Sequence, residues 1–91
     1  MKHAGSAALA VLAPLLEELR GRPSLREKSP GVFHRKSRAF LHFHEDPSGL
    51  YADVRLGADF TRLPVTSSAQ RSALLQRIDR HLSERAVEER P

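Results

Sequence analysis

The stretch from Ala39 to Leu56, AFLHFHEDPSGLYADVRL, constrains the fold more than any other part of the chain. Asp46-Pro47-Ser48-Gly49 has the composition of a tight turn. Proline presets φ at the second position and glycine supplies the left-handed one. A hairpin closed there sets Glu45 opposite Leu50, His44 opposite Tyr51, Phe43 opposite Ala52, His42 opposite Asp53, Leu41 opposite Val54 and Phe40 opposite Arg55. Side chains alternate along a strand, so Leu41, Phe43, Ala52, Val54 and Leu56 share one face. The other face collects Phe40, His42, His44, Tyr51, Asp53 and Arg55. A slip of one residue would bury the histidines and expose Phe43 and Val54, so burial selects this register.

The flanking segments supply a cover for the apolar face. Leu9, Leu12, Leu16 and Leu19 recur at helical spacing, which predicts a first helix over 6–20. Pro14 interrupts it, either as a kink or as an early residue of a helix starting near Ala13. Residues 21–31 read as a basic connection punctuated by Gly21, Pro23, Pro30 and Gly31. A short strand over Val32 to Lys36 and a turn at Lys36-Ser37-Arg38 lead into the hairpin, with Phe33 on the core face. His34 then falls opposite Phe40. Gly57-Ala58-Asp59 turns into a fourth strand over Phe60 to Val65, where Pro64 favours a sheet edge. Ser67 and Gln70 match a capping box. Leu74, Leu75, Ile78 and Leu82 make the stripe of a second helix. The expected fold is α+β: a two-layer sandwich in which a four-stranded antiparallel meander carries an N-terminal and a C-terminal helix on one face, in the order α-β-β-β-β-α. Residues 1–82 form its single domain and 83–91 a polar tail, frayed or disordered.

With both helices on the apolar face, the histidine face is left open. Several chemistries compete for it. His42 and His44 project from one strand about 7 Å apart at the backbone, a spacing able to hold a divalent ion such as zinc, with Asp53 as a third ligand or an orienting partner and His34 able to complete the set. A metal-dependent enzyme using these two histidines is one reading. No cysteine is present, which excludes a disulfide framework and thiolate ligation. The serines and threonines lie in turns or at edges, and no nucleophile motif accompanies the His–Asp pair. A second reading is single-stranded nucleic acid, with Phe40 and Tyr51 as stacking rings, although Asp53 and Glu45 oppose a phosphate backbone. The net charge of +4 rests on twelve arginines and three lysines scattered along the chain, without the clustering of a nucleic-acid footprint.

The reading preferred from the residues is a non-catalytic binding or self-association domain. A homodimer formed through the sheet face would bury the apolar centre made by Val32, Phe40 and Tyr51, and Arg55 would contact an anion or carboxylate. No cofactor is required. Ala7 to Leu16 is too short to cross a bilayer and lacks a signal-peptide cleavage pattern, so a cytoplasmic domain is expected. The turn Arg35-Lys36-Ser37-Arg38 reads as solvated charge able to touch an anion.

Arg38-Ala-Phe-Leu-His-Phe-His-Glu-Asp46 followed by Leu50-Tyr-Ala-Asp-Val-Arg-Leu56 resembles the F-x-H-x-H strand of small bacterial proteins of the luciferase-domain type, with His42 and His44 on the motif. The helix–meander–helix order is also similar to YjbR-type small α/β proteins. Neither resemblance implies a particular reaction.

Overall fold

The computed structural model describes residues 1–88. The central hairpin joins β4 (Arg38–Asp46) to β5 (Gly49–Arg55), and its register from Leu41↔Val54 to Glu45↔Leu50 is the one that the turn dictates. The turn is tighter than a four-residue loop, because Asp46 and Gly49 also pair. Asp46 Oδ2 accepts from both the backbone N–H of Ser48 (3.1 Å) and its hydroxyl (2.7 Å). Leu41, Phe43, Ala52 and Val54 are buried as expected.

The sheet is larger than a four-stranded meander. β2 (Arg26–Ser29) and β3 (Val32–Arg35) form a hairpin ahead of β4, and β6 (Phe60–Pro64) follows β5, giving the antiparallel order β2-β3-β4-β5-β6. Pro30-Gly31, expected in a connection, is the turn of this extra hairpin. Gly31 has φ +74°, the left-handed position that follows proline in a type II turn. A sixth strand, β1 (Lys2–His3), pairs with β4 at Lys2↔Glu45 and His3↔His44. β4 is long and β3 covers only its first half, so the far half of that edge offers unpaired backbone groups, which β1 takes.

The leucine repeat over 6–20 breaks into α1 (Ser6–Val11) and α2 (Ala13–Arg20), with Pro14 in the first turn of α2. Proline has no N–H to give to the preceding turn, and at this position none is needed. α3 (Ser68–Glu88) starts on the capping box: the Ser67 hydroxyl accepts from Gln70 N–H (3.1 Å), and Gln70 Oε1 accepts from Ser67 N–H (3.0 Å). The helix carries on through Ser83 into the segment expected as a frayed tail, as far as Glu88; residues 89–91 lie outside the described residues. Leu12, Leu15, Leu16 and Leu19 pack with Leu74 and Ile78 of α3 onto the apolar face of the sheet in one cluster. Among the described residues, no helix is long and apolar enough to cross a membrane.

One residue of the central strand departs from simple alternation. Phe33 pairs with Leu41, but His34 pairs with Ala39 rather than with Phe40, so Phe40 is the extra residue of a β-bulge. A bulge resets side-chain parity. Phe40 therefore turns into the core, where it is 3% exposed, and its ring stacks on His81 of α3 at 5.9 Å.

Candidate functional site

His42 and His44 lie where the hairpin puts them, on the face opposite the helical layer. β1 adds a third imidazole to them. His3 is the cross-strand partner of His44, so the two share a face, and their rings stack at 4.8 Å between centroids. Three contacts fix β1 beyond its own pairing. Ala4 N–H donates to the Phe43 carbonyl (3.0 Å), Gly5 N–H donates to Glu45 Oε2 (2.6 Å), and Lys2 Nζ stands 3.7 Å from Glu45 Oε1. The ligating atoms of His3, His42 and His44 all fall within 4.8 Å of one another.

His42 Nδ1 and His44 Nε2 are 3.0 Å apart, and His44 Nε2 is also 3.1 Å from Asp53 Oδ2. Asp53 is buried, and Arg62 clamps both of its oxygens, Nε to Oδ1 at 2.7 Å and Nη2 to Oδ2 at 2.8 Å. Hydrogen bonds from Arg62 hold the Asp53 carboxyl below the usual carboxylate range, with the nearby imidazoles adding to the effect against burial. Asp53 is therefore an acceptor, and the proton of His44 belongs on Nε2, shared towards Asp53 and His42 Nδ1. His44 Nδ1 is buried and has no hydrogen-bond partner, which agrees with that tautomer. Burial lowers the pKa of His42; His44, His3 and Arg62 act in the same direction and Asp53 against it. His42 thus favours the neutral form, the one that offers a lone pair to a cation.

The remaining expected face residues have other partners. Tyr51 sits opposite His44, with its hydroxyl 2.8 Å from Ser48 Oγ at the turn. Arg55 donates to the carbonyls of Ala39 (3.1 Å) and Ala58 (3.2 Å) and lies 4.4 Å above the Phe60 ring. Phe40 is absent from this face, because the bulge has moved it into the core; the expected apolar centre of the face goes with it. Phe60, 36% exposed and 5.0 Å from the His42 ring, is the aromatic that stands there instead.

His3, Arg62 and Phe60 escape a reading of the sequence for different reasons. A turn at Gly57-Ala58-Asp59 implies Arg55↔Phe60 and Asp53↔Arg62, the pairing observed, so two of the three follow from hairpin arithmetic. A two-residue strand carries no periodicity, and nothing in Lys2-His3 announces it. Compared with protein-family models, curated proteins and solved structures, the chain gives no match.

Proposed function

We propose that this chain is a small binding domain whose open sheet face holds a divalent transition-metal ion through His3, His42 and His44. The observation that carries this reading is the convergence of three imidazoles from two strands, with ligating atoms within 4.8 Å of one another. Neutral nitrogen donors suit zinc, cobalt, nickel and copper and are poor ligands for magnesium or calcium. Tetrahedral zinc with Zn–N near 2.05 Å separates two nitrogen donors by about 3.3 Å. The 3.0 Å between His42 Nδ1 and His44 Nε2 is close to that. His3 is exposed, so its ring can swing the remaining distance. The ion takes the place of the proton shared between His42 and His44. Moving the His44 proton to its buried, unpartnered Nδ1 costs about 1–3 kcal/mol, or roughly ten- to a hundredfold in affinity. A micromolar site is the expectation, with a fourth position left to water or a partner's group. The Arg62–Asp53 pair serves from behind, fixing the ring of His44.

Self-association through the same face, and stacking of single-stranded nucleic acid on it, are expected to use Phe40 with Tyr51 as contact area; Phe40 is buried, which leaves Tyr51 and Phe60 for that role. Metal binding needs neither. The test is a titration of the full chain with zinc and with cobalt, read by calorimetry and by the visible spectrum of bound cobalt. One ion per chain is expected, with each of His3→Ala, His42→Ala and His44→Ala weakening binding at least ~10-fold. Stoichiometric binding indifferent to all three variants, or no binding at micromolar metal, would dispose of the reading. Molar mass measured with zinc and with chelator shows whether a second copy fills the fourth position.

A further inference from the structure

The register of the sheet arranges the open face in rows that run across the strands. His3, His44, Tyr51 and Pro64 make one row, and His42, Asp53 and Arg62 the next. In the row beyond, Arg55 pairs with Phe60 of the edge strand β6. Phe60 is 36% exposed, at an edge where charged side chains are the common choice. Its ring is nonetheless held. The Arg55 guanidinium lies 4.4 Å over it, itself anchored on the carbonyls of Ala39 and Ala58, and the His42 ring is 5.0 Å away at 56°. A large exposed ring fixed beside a metal-ligating imidazole is contact area that the fold itself leaves partly unused.

The charges say what kind of group belongs next to that ring. Neutral imidazoles bring no charge to a divalent ion, so three of them leave both of its positive charges in place. The nearby carboxylate, Asp53, is already matched, because Arg62 donates to both of its oxygens. Arg62 is itself half exposed, and its Nη1 makes no hydrogen bond among the described residues. Glu45, the next acid along β4, is engaged by Gly5 N–H and by Lys2. An anion at the open position of the ion supplies the charge that these residues do not.

We propose that the open position of the ion takes the carboxylate of a small aromatic acid, with the ring of that ligand lying against Phe60. The inference rests on the three-histidine metal reading and adds the class of ligand to it. A carboxylate oxygen is an ordinary zinc ligand, and its charge neutralises half of the ion's. The second oxygen of the carboxylate is an acceptor suited to a guanidinium such as that of Arg62. Aromatic rings in offset or edge contact gain more than their buried area alone supplies. The face is open rather than concave, so the ligand stays half in water, and millimolar affinity is expected. An aliphatic acid keeps the charge without the ring contact, and a neutral aromatic amide keeps the ring without the charge. Each retains one half of the recognition.

Benzoate is the probe, titrated into the cobalt-loaded full-length chain at fixed pH and ionic strength and followed by the visible spectrum of the bound ion. A saturable spectral change is expected, with benzoate roughly tenfold tighter than acetate and benzamide without effect over the same range. Phe60→Ala should leave the cobalt spectrum of the ligand-free protein unaltered and bring benzoate down to the affinity of acetate. Phe60→Tyr, which keeps the ring, should keep the preference. Circular dichroism of both variants reports whether the fold is intact. A cobalt spectrum that never forms would remove the metal reading and this inference together. A spectrum that forms but ignores benzoate, that answers equally to benzoate and acetate, or that prefers benzoate just as strongly after Phe60→Ala would overturn this inference alone and leave the metal reading standing.

Discussion

Phe40→Ala separates a bulged central strand from a regular one. Under strict alternation Phe40 shares the open face with His42, and its truncation costs no more than about 1 kcal/mol, as surface changes do. In the structure the ring is 3% exposed and belongs to the main apolar cluster. A buried phenylalanine removes about 200 Å² from water. At ~25 cal/mol/Å² this is an upper limit of about 5 kcal/mol, and buried Phe→Ala changes cost about 3–5 kcal/mol. At ~0.05–0.15 kcal/mol per residue, a chain of 91 residues has roughly 5–14 kcal/mol in total. The variant therefore sits at the edge of unfolding in water. Urea denaturation followed by far-ultraviolet circular dichroism is the assay. With a slope near ~1 kcal/mol/M, the midpoint falls by about 3 M or more, or no native baseline survives. Phe40→Leu retains most of the volume and keeps the measurement on scale, at a cost of about 1–2 kcal/mol. Phe60→Ala is the internal reference, since that ring is 36% exposed and should cost about 1 kcal/mol. Equal midpoints for Phe40→Ala and Phe60→Ala would refute the bulge and restore Phe40 to the open face.

Three further outcomes follow from particular contacts. Glu45→Ala removes the acceptor of Gly5 N–H and should free β1, weakening zinc binding about as much as His3→Ala does, whereas Glu45→Gln keeps an acceptor and most of the affinity; calorimetry on the three variants checks this. Gly49→Ala should cost about 1–3 kcal/mol in thermal unfolding, because φ there is +144° and a β-carbon would run into the Thr66 hydroxyl that accepts from Leu50 N–H. Glu27→Gln tests a pH dependence. Arg20 donates to both Glu27 oxygens (2.6 and 3.1 Å) and Gly31 N–H to one of them (3.0 Å), and the Arg20 hydrogen bonds hold the Glu27 carboxyl below its ordinary range. A carboxylate with a depressed folded-state pKa stabilises above its unfolded value and ceases to do so as pH falls through the folded one. The melting temperatures of parent and Glu27→Gln should differ by a constant amount near neutrality and converge as pH falls through the lowered folded-state pKa of Glu27; a gap that persists in stronger acid would mean that shape, not charge, is what Gln fails to supply.

Most of the fold is legible in the sequence because one turn fixes one register. From Asp46-Pro47-Ser48-Gly49 the pairings Leu41↔Val54 to Glu45↔Leu50 follow, and with them which of those side chains are buried. The capping box and the leucine stripes are legible for the same reason: each is a periodic or short-range pattern. β3 is expected from the sequence, but β2, which makes a hairpin with it, is missed because Arg26-Glu27-Lys28-Ser29 is polar on both faces, as an edge strand can be, so that no alternation marks it. The Pro30-Gly31 dipeptide is its one local signal. The bulge at Phe40 is missed because alternation presumes an uninterrupted ladder. Its cause is tertiary: the core at the start of β4 needs a ring against α3, and simple parity would supply Ala39 at that position.

The same two departures decide what the open face can do. Alternation alone places Phe40 beside His42 and leaves the histidines as a pair, which favours a partner that buries apolar surface. The bulge removes the ring, and β1 delivers His3, so the face loses contact area and gains a donor. A pair of imidazoles two residues apart on a strand is commonplace, but a third from a neighbouring strand turns a line of donors into a triangle, and a cation requires convergence more than number. That triangle depends on the pairing of β1 with β4, on the Ala4 N–H bond to the Phe43 carbonyl and on one carboxylate, Glu45, at the end of the strand that carries the other two histidines. Metal affinity and the pairing of β1 are therefore two readouts of one equilibrium. If zinc binds here, hydrogen exchange at His3 and Ala4 should slow in proportion to occupancy, since an ion that prefers the paired form stabilises it by mass action. Exchange at these amides that ignores saturating zinc would place the ion elsewhere, or on His42 and His44 without His3.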